Sequence, residues 1–361
     1  VPGNSFSAVT ISRDPDDLSW VERVTASGGL RVLVISGRHR AGEEPCAPAV
    51  IVVEKLPGYD DREETLDPST AIPLRIPTCR MSRQGTVKVP GGLAWMGTDR
   101  PLWHPTYQNL PHKVRVEDYR IDRTEVSGKG YLDFVESIEP VLGRTQQNQL
   151  YVDPKTLDDP ADRKHVPVEP AMDVSWEEAR LYCMWLGKDL PTDAQWVKAG
   201  RGGIYIDGDL DTARPNPEPL RLFPWGDAVD DLQQHANCGL SWGSGEDAVA
   251  KRPRHIYQTV DSMPGGASIY GVLHLSGNAL EWIRDHASKE SFEVAPGTIL
   301  DNPVGPSEGG QRVVRGGHAY SRAVENCSLA YPDRIGPVNR RRGLGFRCAQ
   351  HGPATTWVAR P

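Results

Sequence analysis

The residues best suited to chemistry stand together near the C-terminus, in the order His318, Tyr320, Ser321, Glu325 and Cys327. A histidine that shares a loop with a carboxylate has the composition of a general base or a metal ligand. The competing interpretation is a histidine that is held by hydrogen bonds in a binding cleft. Short motifs give many false positives, so this pattern favours the binding cleft. The catalytic alternative would rest on His318, Ser321 and Glu325.

Two helices upstream are the strongest structural predictions. Ser175 with Glu178, and Thr192 with Gln195, have the spacing of capping boxes, and Gly187 is placed to end the first helix. Apolar residues follow each cap at helical spacing. The tryptophans of these helices are expected to pack in a core rather than to contact a ligand.

Strands and loops are predicted around these helices. Residues 89–97 predict a strand, a tight bend at paired glycines and a second strand, and residues 119–126 predict a further strand. Ser127 is expected to cap a helix that carries Tyr131. The Pro- and Asp-rich residues 204–222 predict a surface loop.

The first 84 residues predict a separate small domain. Runs of β-branched residues at 6–11, 30–35 and 50–53 are separated by Gly and Pro, which is typical of a β-sandwich-like module. The boundary is predicted near residues 81–84. We find no catalytic constellation in this part of the sequence.

Composition indicates a globular protein, since 38% of its 361 residues are apolar and 25% are charged. The net charge of −7 and the lack of a basic block argue against nucleic acid as a partner. Residues 340–342 are all arginine, and the simplest expectation for them is a solvated loop. No apolar run is long enough to span a bilayer. Abundant Gly and Pro, with ten Trp, predict a loop-rich fold.

The six cysteines show no CxxC spacing, which favours disulfides in an oxidising compartment over a zinc site. Six buried thiols in a cytosolic protein are the weaker alternative. Cys46 and Cys79 flank the second half of the N-terminal domain and are expected to bridge. Val1 in place of Met suggests a removed targeting segment or a trimmed chain.

Three segments resemble the formylglycine-generating enzyme, or sulfatase-modifying factor, family. They are residues 270–282 with a Gly-Asn-x-x-Glu-Trp pattern, residues 313–327 with Arg-Gly-Gly, and residues 345–349 with Gly-Phe-Arg-Cys-Ala. The resemblance implies an α+β, loop-rich, C-type-lectin-like fold. The predicted organisation is the small β domain at 1–84, this domain at 85–352, and a C-terminal tail at 353–361.

In catalytic members of that family, two cysteines after the Arg-Gly-Gly motif bind copper. The resemblance places Ser321 at the first position and Asn326 at the second, with Cys327 beside it, and His318 replaces the family's serine. Two thiolates suit Cu(I), whereas a serine hydroxyl is a hard donor that stays protonated near neutral pH. We therefore expect no copper and no formylglycine generation.

Calcium is the other metal that the resemblance implies. The ligands would be the carbonyls of Gly277 and Ala279 and the carboxylate of Glu281. His274 stands where the family has Asn or Asp, and imidazole is a poor calcium ligand. The equal alternative is that Glu281 only braces the loop. A second loop begins at Asn237, where the acidic residues downstream are spaced wrongly and calcium is less expected.

The resemblance also implies a Cys183–Cys348 disulfide, because the family pairs cysteines at these positions. Such a bridge closes a loop of well over a hundred residues, for which the entropy model gives about 4–5 kcal/mol. Cys238 and Cys327 are then left over, and their pairing is assigned by elimination only.

The favoured function is a non-catalytic recognition or structural subunit of the bacterial cell envelope or exterior. A protein or a glycan would bind the loops at 318–342, whose mixed polarity suits such a partner. The residues expected to contact it are His318, Tyr320, Ser321, Arg322, Glu325, Asn326 and Asp333. The alternative is an oxidoreductase of the same superfamily, with a centre near His318 that is not a copper–thiolate site. The expected location is secreted, periplasmic or cell-surface.

Overall fold

A computed structural model describes most of the C-terminal three quarters of the chain and several N-terminal strands. The described residues are 77–100, 110–142, 168–209, 213–229, 232–239, 256–287, 294, 297–321, 324–341 and 343–351, with the strands at 9–11, 20–27, 30–36, 49–54 and 72–74.

The helices are short and lie mostly in the first half of the C-terminal region. They are α1 Cys79–Arg83, α2 Gly128–Leu142, α3 Trp176–Trp185, α4 Asp193–Arg201 and α5 Leu232–His235, with 3-10 helices at Pro264–Gly266 and Val324–Cys327. None of the helices in the described residues is both long and apolar enough to cross a membrane.

The N-terminal strands are β1 Val9–Ile11, β2 Trp20–Ser27, β3 Leu30–Ser36, β4 Ala49–Glu54 and β5 Ile72–Leu74. Strands β2, β3 and β4 form an antiparallel sheet, and β1 pairs with β5 in parallel. The predicted strands correspond to β1, β3 and β4. The sequence analysis missed β2 and β5.

The described part of the C-terminal region contains three small sheets. Their strands are β6 Thr86–Val89, β7 Gly92–Met96, β8 His112–Val116, β9 Tyr119–Asp122, β10 Leu280–His286, β11 Ile299–Asp301, β12 Arg312–Arg315, β13 Asp333–Ile335, β14 Leu344–Gly345 and β15 Ala349–His351. The strand orders are β15-β9-β6, β11-β8-β7 and β13-β12-β10-β14. The predicted strands at 89–97 are present as β6 and β7, but they belong to different sheets and do not pair with each other.

The predicted helix caps are confirmed. Both Ser175 with Glu178 and Thr192 with Gln195 form reciprocal capping boxes, at the starts of α3 and α4. The Ser127 hydroxyl accepts a hydrogen bond from Gly130 N, 3.2 Å away, at the start of α2. These signals are local in sequence, which is why they could be predicted without knowing the tertiary structure.

The tryptophans of α3 and α4 are core residues, as predicted. Trp176, Trp185 and Trp196 are 6%, 5% and 0% exposed. The first two pack with α2 and β10, and Trp196 packs with strands β7 to β9. Near the predicted domain boundary, the Ser82 hydroxyl of α1 donates to the Leu186 carbonyl, 2.5 Å away, at the end of α3. The domain boundary itself stays a prediction.

The predicted surface loop at 204–222 is only partly exposed. Asn216 is buried and its amide donates to the carbonyls of Arg201, 2.9 Å away, and Gly203, 2.8 Å away. Arg221 is also buried and donates to Asn216 Oδ1 at 2.8 Å. The Pro- and Asp-rich composition does not reveal this burial. The loop is anchored by the Asn216 amide, whose carbonyl partners lie 15 and 13 residues earlier in the sequence.

Candidate functional site

The site begins where β12 ends, at two glycines that turn the chain away from the sheet. Gly316 and Gly317 have positive φ angles of 94° and 66°, a region that L-residues rarely adopt. A Cβ on Gly317 would lie 2.6 Å from the Asn326 carbonyl oxygen and 2.9 Å from the Cys327 sulfur. The absence of a side chain therefore lets the 3-10 helix at 324–327 pack directly against the residue before His318.

A tight turn follows at residues 318–321. Within it, His318 and Ser321, the residues predicted for catalysis, form hydrogen bonds to each other and to the backbone of the turn. His318 N donates to the Ser321 hydroxyl at 2.9 Å, and Ser321 N donates to the His318 carbonyl at 2.8 Å. Tyr320 N donates to His318 Nδ1 at 3.0 Å, so that ring nitrogen acts as an acceptor. Ser321 is 6% exposed. His318 and Ser321 therefore hold the turn together.

An aromatic cluster borders this turn. Tyr320 meets the His318 ring edge to face at 6.0 Å and the Tyr257 ring at 5.9 Å. Ile256 and Ala319 complete the cluster, with Met172 packed beside it. Tyr257 is 61 residues before His318 in sequence, so its place beside this turn had no local signal.

The other predicted contact residues lie in several elements. The catalytic combination of His318, Ser321 and Glu325 stays a prediction. Glu325 and Asn326 lie in the 3-10 helix at 324–327. Asp333 lies in β13, where its carboxylate accepts Arg334 N at 2.7 Å. Arg322 lies outside the described residues.

Arg340 and Arg341 are exposed, in line with the predicted solvated loop, but Arg340 is also bound to a helix. Its guanidinium forms a two-pronged ion pair with Glu178 of α3, with Nε–Oε2 at 2.9 Å and Nη2–Oε1 at 2.7 Å. The same carboxylate accepts Ser175 N at 2.7 Å as part of the capping box. One end of the 336–341 loop is thus tied to a helix, while Val338, Asn339 and Arg341 are exposed.

Two predicted disulfides are present in the described residues. Cys183 pairs with Cys348, and Cys238 pairs with Cys327. Cys79 is also disulfide-bonded, but Cys46, its predicted partner, lies outside the described residues. Because Cys327 is in a disulfide and Ser321 accepts a backbone hydrogen bond, the residues at this position do not fit a two-thiolate copper site.

The loop at 277–281 is held by buried charges. The Glu281 carboxylate faces Arg347 at 2.6 and 2.7 Å and accepts Trp196 Nε1 at 3.0 Å, and both charged side chains are 0% exposed. Glu125, which the sequence analysis did not single out, accepts Asn278 Nδ2 at 2.8 Å and Ala279 N at 2.9 Å. Burial, followed by the charge of Glu281, raises the pKa of Glu125 to about 8.

Both Glu281 oxygens accept hydrogen bonds from cationic or indole donors, and through these bonds Glu281 braces the loop. Calcium at Gly277, Ala279 and Glu281 stays a prediction. In the described residues no group of three or more His, Cys, Asp or Glu side chains is arranged around a metal position.

Two residues predicted near this loop have structural contacts. The Asn237 carbonyl accepts Asn278 N at 2.8 Å, and the Asn237 amide donates to Asn278 Oδ1 at 3.0 Å. Asn237 and the 277–281 loop are therefore in direct contact. His274 is buried, and this burial, followed by the positive Arg347, lowers its pKa to about 4. Its Nε2 lies 3.2 Å from the Thr259 carbonyl.

Comparison with known proteins gives a consistent result. The profile of the sulfatase-modifying factor enzyme 1-like domain matches residues 73–351. The formylglycine-generating enzyme of Bos taurus is 28% identical over 319 residues, which cover 74% of this chain and 75% of that protein. The inactive Cα-formylglycine-generating enzyme 2 of Bos taurus is 26% identical over 297 residues, covering 73% and 87%.

Among solved structures, PvdO from Pseudomonas aeruginosa is similar at 19% identity and a TM-score of 0.49, over 74% of this chain and 94% of that one. The family profile covers more than half of the sequence and includes every element that positions the 277–281 and 317–327 loops. The chain belongs to the family defined by the sulfatase-modifying factor enzyme 1-like domain.

Proposed function

We propose that this protein is a non-catalytic recognition or structural subunit that binds a protein or a glycan through the loops at 318–342. The proposal rests on the bonds that Ser321 and Cys327 form. The Ser321 hydroxyl accepts His318 N, and Cys327 is bonded to Cys238. Copper-dependent oxidation of a substrate thiol needs two thiolates, and these positions supply neither.

The exposed part of the loops suits recognition. Val338 is 79% exposed, and Asn339 and Arg341 next to it are exposed too. The Arg340–Glu178 ion pair and the Cys238–Cys327 disulfide anchor the polypeptide on either side. An anchored loop loses less conformational entropy on binding than a mobile one, which favours affinity. We call Val338, Asn339 and Arg341 the 338–341 face.

Family membership leaves the enzyme question open, because the relatives include one named as an enzyme and one named as inactive. The second candidate function is therefore an oxidoreductase with a different centre near His318. Metal analysis of the purified protein separates the two candidates. Stoichiometric copper or iron would favour the oxidoreductase, whereas calcium alone or no transition metal is the result that the recognition function predicts.

We place the protein outside the cytoplasm, in the bacterial periplasm, on the cell surface or in the exterior. The disulfides Cys183–Cys348 and Cys238–Cys327 support this location, because such bonds persist in oxidising compartments.

Binding is tested by capture from the source envelope with matched variants. Val338→Asp changes the 338–341 face, and Val304→Asp changes another exposed valine, which is 51% exposed. The expected result is that Val338→Asp loses the captured partner and Val304→Asp retains it. Equal capture by both variants would place the recognition surface elsewhere.

A further inference from the structure

A cleft of about 460 Å³ lies where the chain passes from β6 to β7, and none of its lining residues belongs to the 338–341 face. Its walls come from three segments that are distant in sequence, residues 88–92, 115–118 and 207–209. Small-molecule sites are commonly about 300–1,000 Å³, so a single ligand unit fits this volume. No function has been assigned so far to the residues that line it.

The charged groups of the cleft are held in pairs. Lys88 Nζ lies 2.7 Å from Asp118, Arg115 Nη1 lies 2.9 Å from Asp209, and Arg214, behind the rim, lies 2.7 Å from Asp207. Glu117 is exposed at the rim and adds one negative charge. A cleft with this balance gives no net attraction to a phosphate or a sulfate.

The carboxylates are also fixed by the backbone. Asp118 Oδ1 accepts Gly91 N at 2.6 Å, and both Asp209 oxygens accept Leu93 N at 3.2 Å. Under the same bend, the buried Lys198 ammonium donates to the Gly92 carbonyl at 2.9 Å. Acceptors that are already oriented cost little ordering entropy when a ligand binds.

The remaining lining residues are uncharged and have small side chains or none. Gly91, Gly92 and Gly208 present bare backbone, and Pro90 and Val116 present aliphatic carbon. A Cβ on Gly208 would lie 3.0 Å from the Gly91 carbonyl oxygen, so the two segments approach as closely as glycine allows. The accessible lining is mostly apolar, and the ion-paired side chains supply hydrogen-bonding atoms without excess positive charge.

We propose that this cleft binds a neutral polyhydroxylated unit, such as one saccharide ring. Hydroxyl groups both donate and accept, so they can donate to Asp118 and Asp209 and accept from Lys88 and Arg115 without breaking either ion pair. The C–H face of the ring packs against the aliphatic wall. This site is independent of the proposed function, because it uses none of the residues 318–342.

The test is saturation-transfer NMR and calorimetric titration of the full chain with individual methyl glycosides of glucose, galactose, mannose and N-acetylglucosamine. Arg115→Met removes one cleft donor, and Lys88→Met removes the other in case the first variant folds poorly. Lys113→Met is the matched control, since Lys113 lies on the same strand, next but one to Arg115, and outside the lining.

At least one glycoside is expected to bind saturably, with the Gly91 and Gly92 amide signals shifting. Arg115→Met or Lys88→Met should weaken that binding by at least about tenfold, as expected for losing a hydrogen bond to a charged group, and Lys113→Met should leave it unchanged. Inorganic phosphate and putrescine serve as ionic probes. Binding of either ionic probe without any glycoside, or glycoside binding that both cleft variants retain, would overturn the proposal.

Discussion

The loops at 277–281 and 317–321 are neighbours, since Gly277 N donates to the Gly316 carbonyl at 2.7 Å, but they are stabilised in different ways. The first is surrounded by buried charges from distant segments, Glu125, Glu281 and Arg347. The second is held mainly by hydrogen bonds within its own turn. Because long-range buried contacts fix the framework, we expect the side chains of the 317–321 turn to be replaceable without loss of the fold.

The largest effect on stability is expected from the framework disulfide. The Cys183–Cys348 bridge has a sequence separation of 165 residues. Replacing both cysteines with Ala should lower the free energy of unfolding by about 5 kcal/mol, because the unfolded chain regains loop entropy. Denaturant unfolding under non-reducing conditions measures the change. A loss below about 1 kcal/mol would show that other contacts, rather than this bridge, hold the framework.

The buried ion pair is expected to rank next. Arg347→Met leaves Glu281 charged and without its partner in the core, which should cost about 3–5 kcal/mol. The double variant Glu281→Gln with Arg347→Met should recover part of that loss. Lys129→Met breaks the exposed Lys129–Asp133 pair of α2 and is the control, with an expected cost of about 0–1 kcal/mol. Equal losses for the buried and exposed pairs would contradict the comparison.

The pH dependence of stability should also come from the framework. Burial raises the Glu125 pKa from 4.5 to about 8, so between these values the folded state holds more protons than the unfolded state. Stability therefore falls as the pH rises through this window. His274, whose pKa is lowered from 6.5 to about 4, gives the opposite slope below pH 6.5. The interval from pH 6.5 to about 7 lies above the His274 window and below the pH at which Lys198, whose pKa burial lowers from 10.5 to about 8, loses its proton.

In that interval, Glu125→Gln should reduce the slope of unfolding free energy against pH. Asp285→Asn should reduce the remaining slope of unfolding free energy against pH. Burial, followed by the charge of Asp193, raises the Asp285 pKa to about 8 as well. Urea unfolding at a series of pH values measures both slopes. An unchanged slope in each variant would mean that these carboxyls titrate normally.

Among these framework and turn variants, the smallest effect on stability is expected in the turn at 317–321. His318→Ala removes the acceptor of Tyr320 N and should cost about 1 kcal/mol. The fold and the disulfides Cys183–Cys348 and Cys238–Cys327 should be retained, while binding to the captured partner weakens. A loss of several kcal/mol measured by thermal unfolding would instead make His318 part of the framework.

The sequence was informative where a signal is local or resembles a family motif. The capping boxes at Ser175 and Thr192 were predicted from four-residue patterns, and the Cys183–Cys348 bridge from the resemblance. The contacts of Glu125 and the Arg340–Glu178 ion pair were missed because the partners are remote in sequence. Glu125 contacts a loop 153 residues away, and Arg340 meets Glu178 at a separation of 162 residues. The cleft was missed for the same reason, since three separate segments form it.

The chain belongs to the family, and Ser321 and a disulfide-bonded Cys327 stand where the resemblance places its copper chemistry. The most direct test is aerobic incubation of the purified protein with Cu(I) and a cysteine-containing sulfatase peptide, followed by mass analysis of the peptide. We predict that the cysteine is not converted to formylglycine, while an active formylglycine-generating enzyme converts it under the same conditions. Catalytic conversion by this protein would contradict the account.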